Sequence, residues 1–272
     1  MKISSLVENT SKTGLPVEHG LSLYIELDNG KRILFDMGQS SLFADNAKKL
    51  GLFIEDVDIA VISHGHYDHG GGLFEFLKIN KDAKIFIHKE AFQKHYSLKE
   101  NELKFIGLAK ELENNERIVF CNDFQKIDNN ITLFANVQGD CCNPMGNRLL
   151  FGIDKKTNDN FRHEQNLVIE ENGKNILFAG CAHRGIINII KECERRLNIS
   201  PDFVFGGMHL VKSGLSEEDN TCFIEKLANG LRQFPKCKFY TMHCTGTKEY
   251  NILKNMLGSQ IDYMSCGEER NI

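Results

Sequence analysis

Residues 58–72 read DIAVISHGHYDHGGG. The first six, DIAVIS, form a short apolar run rich in β-branched residues, the pattern of a strand buried on both faces. Such a strand needs cover on both sides. That requirement points away from a helical bundle or a one-sided antiparallel sheet, and toward layers of helix and sheet. The strand runs directly into a loop holding His64, His66, Asp68 and His69, followed by Gly70, Gly71 and Gly72. The chemistry of this chain is therefore expected at the end of a buried strand.

The rest of the chain carries the same mixture. Residues 21–27 and 32–35 read as strands joined by the turn Asp28-Asn29-Gly30, a hairpin signal. A short helix is expected at 46–50, another helical stretch at 73–77, and a strand at 84–88. Further strands are expected at 118–121, 131–135, 166–170 and 176–179, with Asn172-Gly173 turning the last pair. Ile187, Ile190, Cys193 and Leu197 recur on one face of a helix over 186–197. The end alternates strand 203–205, helix 219–231, strand 238–242 and helix 248–257. Hairpins together with strand-helix alternation predict α/β layers. No linker composition interrupts the chain, so residues 1–272 are read as a single domain. Residues 89–116 are rich in Lys and Glu and read as a helical insertion, either a solvated face or a cap over a site.

Composition narrows the function classes. The formal net charge is −4, which offers no basic face for nucleic acid or an anionic membrane. No apolar run approaches the ~20 residues that span a bilayer. The start, MKISSLVENT, has no apolar signal core. The nine cysteines are odd in number and include no CxxC pair, which fits free thiols in a reducing compartment better than disulfides or a zinc finger. The expectation is a cytoplasmic protein with a small-molecule substrate as its partner, self-association remaining open.

Three imidazoles and a carboxylate within six positions suit zinc and similar first-row ions. His64 and His66 are two apart across a glycine and can point to one side. Asp68 and His69 follow where a helix begins, and a carboxylate there is favoured by the helix dipole. Four such groups exceed what one metal with an open position takes from a single loop, so a pair of metals uses them better.

His64-Gly-His66-Tyr-Asp68-His69 resembles the HxHxDH signature of the metallo-β-lactamase superfamily. The resemblance implies a four-layer αββα sandwich with a metal site at the sheet edges. It implies that His64 and His66 serve one metal, and Asp68 and His69 a second. The family's third ligand is a histidine before a strand hairpin, a position held here by His163 in RHEQNLVIE. Its fourth is usually an aspartate at the end of the returning strand, but this chain has Cys181 in ILFAGCAH. Either Cys181 binds as a thiolate, or His183 substitutes, or the second metal is weakly held. The fifth ligand corresponds to His243 in FYTMHCTG. Asp36, in LFDMG, matches an aspartate that supports the ligand loops from behind. EHGLSLYIE, GCAHRGIINI and GGMHL further resemble a subgroup named for 7,8-dihydropterin-6-methyl-4-(β-D-ribofuranosyl)-aminobenzene-5′-phosphate synthase. Through that likeness His209 and His19 are candidates to face the cleft, His209 in a catalytic or substrate role. Core packing is the alternative for both. Arg184 could hold a substrate phosphate or carboxylate, or make a surface ion pair.

The expected cofactor is Zn2+, two ions per chain, with Fe or Mn open. The expected activity is hydrolysis of a small phosphorylated or carbonyl-containing substrate by metal-activated water, with Asp68 orienting the water and carrying its proton. The alternative is a dihydropterin-transferring synthase, in which an arylamine attacks and pyrophosphate leaves. Redox chemistry and a non-catalytic metal-binding role stand behind these. Diiron relatives usually carry an acidic residue where His66 stands, together with a flavin domain.

Overall fold

The computed structural model describes residues 1–211 and 214–272. Strand β1 (Lys2–Val7) is followed by the hairpin of β2 (Ser22–Glu26) and β3 (Arg32–Phe35). Helix α1 (Leu42–Lys49) leads to β4 (Ile59–Ile62), buried along its whole length. The loop beyond β4 contains the short helix α2 (Tyr67–Gly70), and α3 (Leu73–Ile79) and β5 (Lys84–His88) follow. Next come β6 (Tyr96–Lys99), β7 (Glu102–Phe105), β8 (Ile118–Cys121), β9 (Phe124–Asp128), β10 (Ile131–Ala135) and β11 (Leu150–Phe151). The hairpin of β12 (Gln165–Glu171) and β13 (Lys174–Phe178) precedes α4 (Ile186–Leu197) and β14 (Phe203–Gly206). The chain continues through α5 (Glu217–Leu231), β15 (Lys238–Thr241), α6 (Thr247–Leu257), β16 (Ile261–Tyr263) and β17 (Glu269–Asn271).

These strands form two seven-stranded sheets, ordered β17-β1-β2-β3-β4-β5-β8 and β16-β15-β14-β13-β12-β10-β9. The sheets meet face to face through a shared core that includes Leu23, Phe35 and Val61 from the first and Leu133, Phe178 and Phe205 from the second. α1 and α3 cover the outer face of the first sheet, setting Phe43, Leu73 and Phe76 against Leu34, Ala60 and Ile62. α4, α5 and α6 cover the other outer face with Ile187, Ile190, Leu227 and Leu253. The result is the αββα sandwich. β4 shows why its sequence is apolar throughout: Ile59 and Val61 enter the core between sheets, while Ala60 and Ile62 enter the core under the helices. A fully buried Val or Ile side chain such as Val61 or Ile62 stabilises the fold by about 1.5–3 kcal/mol.

β3, β4, β5 and β8 run parallel, as do β13, β14, β15 and β16. The carboxyl ends of parallel strands are where α/β sheets collect functional loops. Here the loops after β3, β4, β13, β14 and β15 bring the chemistry-bearing residues together.

Residues 89–116 depart from the helical expectation. They contain the β6–β7 hairpin, paired Tyr96↔Phe105 through Lys99↔Glu102, and only a brief 3-10 turn at Lys110–Leu112. β11 adds a third strand beside β6. The reversal is possible because Glu100 and Asn101 both take positive φ, 51° and 64°, as tight two-residue hairpin turns of the primed kind require. The Tyr96 and Phe105 rings pack at 5.8 Å on one face, and cross-strand packing of this kind outweighs the helix propensity of Lys and Glu. Ser97 and Lys99 of the small sheet line the same cavity as His66 and His183.

The glycines after the histidine loop also have a specific role. A side chain on Gly71 would strike the carbonyl oxygens of Gln39 and Tyr67, both 2.5 Å from where its Cβ would stand. One on Gly72 would strike the Met37 and Ser40 carbonyls. These residues let the loop after β3 pass close by, rather than clearing space around the histidines.

Candidate metal centre

Four strand-end turns contain a non-glycine residue in the left-handed region: Asp36, Ala182, His209 and His243, with φ of 61°, 54°, 47° and 51°. Such a conformation costs on the order of 1–3 kcal/mol each and persists where surrounding contacts over-determine it. The surrounding contacts here are largely buried hydrogen bonds to the same loops.

Asp36 is wholly buried. Its carboxylate accepts from the Ser63 backbone N–H and hydroxyl, each at 2.7 Å, and from His69 Nδ1 at 2.7 Å. Ser63 Oγ in turn lies 2.9 Å from His64 Nδ1. His183 Nδ1 meets the Asn147 side-chain oxygen at 3.0 Å, and His243 Nδ1 meets that of Asn9 at 2.8 Å. Four rings therefore share one arrangement: Nδ1 is anchored to an oxygen, which places the lone pair on Nε2. His64 Nε2 is 3.0 Å from His66 Nδ1, and His69 Nε2 is 3.1 Å from the Cys181 sulfur. His183 Nε2 and His243 Nε2 are buried and form no hydrogen bond among the described residues.

The donors fall into two adjoining groups. One nitrogen each from His64, His66 and His183 lie within 4.8 Å of one another. Asp68 Oδ2 lies 3.9 Å from His69 Nε2 and 3.4 Å from His243 Nε2, with Cys181 beside His69. Cys181 also comes within 4.8 Å of His183 and His209 donors, and of His243 and Cys244 donors, so it stands between the groups. Separations of this order suit ligands that share a cation at about 2.0–2.3 Å. Buried imidazoles, a carboxylate and a thiol are also the donor types that zinc-like ions take.

The electrostatics agree. Burial, and then repulsion from neighbouring imidazoles, holds His64, His66 and His183 well below the usual imidazole range, so these rings are neutral. Burial disfavours the charged form of Asp68, but His69, His19 and His243 outweigh it and keep the carboxyl well below its ordinary range. His19 contributes through Nε2, 3.1 Å from Asp68 Oδ2, although its side chain is half exposed.

His163 lies beside His66, in a group with His95 and Asp159. Its Nδ1 accepts from the Gly65 N–H at 2.9 Å, and its Nε2 faces Asp159 at 3.3 Å. Both nitrogens are thus engaged. It stacks on His95 at 3.9 Å, and His95 Nδ1 reaches the same Asp159 oxygen at 2.7 Å. Burial, and then repulsion from His95, lowers the His163 pKa to about 4. Arg184 also turns away, its Nε donating to the Val137 carbonyl at 3.1 Å.

Two buried glutamates that nothing in the sequence singles out pin the loops. Glu8 accepts from the His243 backbone N–H and the Tyr263 hydroxyl at 2.7 and 2.6 Å. Glu164 accepts from the backbone N–H groups of His183 and Arg184 at 2.6 and 3.0 Å. Burial raises the Glu164 pKa to about 7 against those N–H bonds. Asn9 and Asn147 are equally anonymous in the sequence. The one available cue is negative: ILFAGCAH lacks an aspartate, so support for that loop must come from another element.

A cavity of about 280 Å³ opens over both donor groups. His66, Asp68, Cys181, His183, His209 and His243 line its floor, and His19 its side.

Comparison with known proteins identifies the family. The sequence profile of the metallo-beta-lactamase superfamily matches residues 15–135. A solved metal-dependent hydrolase of the beta-lactamase superfamily superposes with a TM-score of 0.82 at 30% identity, covering 100% of this chain and 99% of that one. The chain belongs to the metallo-β-lactamase superfamily. Two Methanocaldococcus jannaschii proteins are similar to it over almost their whole lengths. An uncharacterized protein is 30% identical, over 93% of this chain and 94% of its own length. The 7,8-dihydropterin-6-methyl-4-(beta-D-ribofuranosyl)-aminobenzene-5′-phosphate synthase is 29% identical, over 98% of this chain and 95% of its own. This superfamily member keeps the HxHxDH loop while presenting His183, rather than His163, to the first donor group.

Proposed function

We propose that the chain is a metal-dependent enzyme that binds two divalent ions, the first through His64, His66 and His183, the second through Asp68, His69, His243 and Cys181. The observation that carries this reading is the shared orientation of His64, His69, His183 and His243, each tied at Nδ1 and turned by Nε2 toward a neighbouring donor or the cavity. Bound metals would supply concentrated positive charge that polarises a phosphoryl or carbonyl group and stabilises a departing anion. Zinc suits the donors, and Fe or Mn could take the same places.

The chain's own residues supply the rest. Asp68, ionised and 3.1 Å from His19, can accept a proton from the attacking group and pass it to the half-exposed imidazole. His209, its Nδ1 buried without a hydrogen-bond partner among the described residues, is available to orient substrate in the cavity. Asp36, Glu8 and Glu164 hold the loops so that little reorganisation accompanies reaction.

Similarity to the dihydropterin synthase along 98% of this chain favours group transfer over the hydrolysis expected from the sequence. An arylamine nitrogen would bond to the methylene carbon of a dihydropterin diphosphate, the carbon–oxygen bond would break, pyrophosphate would leave, and Asp68 would take the amine proton. Hydrolysis is the second reading, favoured by the solved relative's description as a metal-dependent hydrolase. The deciding experiment is pyrophosphate release from 6-hydroxymethyl-7,8-dihydropterin diphosphate with and without an arylamine. Release that requires the amine supports transfer; equal release without it assigns hydrolysis.

A further inference from the structure

The cavity has a second end. The β6–β7 hairpin overhangs it, and alternation along β6 turns Ser97 and Lys99 to the cavity while Tyr96 packs with Phe105 on the other face. Ile106, just past β7, joins Ser97 and Lys99 in the lining. Ile106 and Leu150 form a small apolar cluster with Phe161 and Tyr67, and Phe161 stacks on His183 with ring centroids 4.4 Å apart. An apolar wall thus rises beside the metal-binding floor, and Lys99 belongs to the same lining.

Among the described residues that line this cavity, Lys99 is the one lysine or arginine. Glu102 lies directly across the hairpin from it, yet no ion pair joins them and Lys99 has no hydrogen-bond partner among the described residues. Arg184, the cation expected from the sequence to hold an anion, donates to the Val137 carbonyl and is absent from the lining.

We propose that Lys99 binds an anionic group at the end of the substrate remote from the reacting bond, while the substrate's apolar or planar body lies along Tyr67, Ile106 and Leu150. This rests on the cavity being the substrate site of the proposed enzyme. The cavity then selects a small amphiphile with a terminal phosphate or carboxylate. A neutral body of the same size gains only the apolar wall, and a bare anion gains only Lys99. An exposed ammonium on a long stem discriminates modestly, by about fivefold, the size of a half-solvated ion pair.

The test measures dissociation constants of phenyl phosphate, benzoate and benzyl alcohol by ligand-observed NMR, using full-length wild type, Lys99→Ala and Lys99→Arg. Chelator-treated protein is used so that a metal cannot hold the anion. The expected result is that wild type binds at least one anion more tightly than the alcohol. Lys99→Ala weakens that anion about fivefold, Lys99→Arg retains it, and the alcohol is unaffected. The tighter of the two anions identifies phosphate or carboxylate as the group selected. Equal anion binding by wild type and Lys99→Ala, or equal binding of anion and alcohol by wild type, overturns the proposal. Failure of the metal reading registers separately, as wild-type protein that takes up no zinc, and leaves the Lys99 comparison intact.

Discussion

The molecule holds two histidine clusters on either side of one loop, and they differ in the wiring of His163. In front, His64, His69, His183 and His243 each tie Nδ1 to an oxygen and turn Nε2 toward a neighbouring donor or the cavity. Behind, His163 spends both nitrogens on Gly65 and Asp159, and His95 spends Nδ1 on the same carboxylate. One nitrogen each of His66, His95 and His163 and an Asp159 oxygen lie within 4.8 Å, so proximity alone does not separate the clusters. What distinguishes the rear is His163, whose Nδ1 accepts a backbone N–H; His95, like the front rings, ties Nδ1 to an oxygen and leaves a buried Nε2 without a hydrogen-bond partner among the described residues. On the proposed reading the front receives a cation, and the rear braces the loop that carries His64 and His66.

The largest effect should come from Asp68→Asn, which keeps the shape of the front site but removes its proton acceptor. Turnover should fall about 10²–10⁴-fold with the fold retained by circular dichroism. Full activity in that variant would remove Asp68 from the mechanism. Asp36→Asn should weaken metal affinity about 10–100-fold, as loss of an outer anchor does at comparable sites. Titration with a competing chelator measures this.

Rear-cluster changes should act on stability instead. Asp159→Ala leaves the buried His95 and His163 rings without their acceptor and should cost about 1–3 kcal/mol in denaturant unfolding, with metal content unchanged. A smaller, pH-dependent effect follows from His163. Its folded-state pKa of about 4 lies below the model-peptide value of 6.5. Between these values the unfolded chain binds the extra proton, so the stability present above pH 6.5 is lost as pH falls toward 4. Unfolding of chelator-treated His163→Gln across this window should show a shallower pH slope than wild type.

Much of the architecture is legible in the sequence because burial writes it there. DIAVIS announces β4, since both of its faces are covered, and the one-sided periodicity of residues 186–197 marks α4 with the observed limits. The β6–β7 hairpin is hidden because its turn is Glu100-Asn101 instead of a glycine pair, and its Lys and Glu imitate a helix surface. The HxHxDH loop is legible as a donor cluster. Its partners are not: spacing before a hairpin points to His163, but both nitrogens of His163 are engaged, whereas His183 keeps an Nε2 without a hydrogen-bond partner among the described residues beside His64 and His66. In RHEQNL the neighbouring Glu164 serves the front cluster by holding the His183 backbone. No periodicity reports which way a loop side chain turns.

The central claim is the division of labour between His183 and His163. The most direct measurement is zinc content, by elemental analysis, of His183→Gln and His163→Gln purified in parallel with wild type. His183→Gln is expected to lose the zinc of the first group, while His163→Gln keeps the wild-type stoichiometry with reduced stability. Zinc lost from His163→Gln and kept by His183→Gln would contradict it.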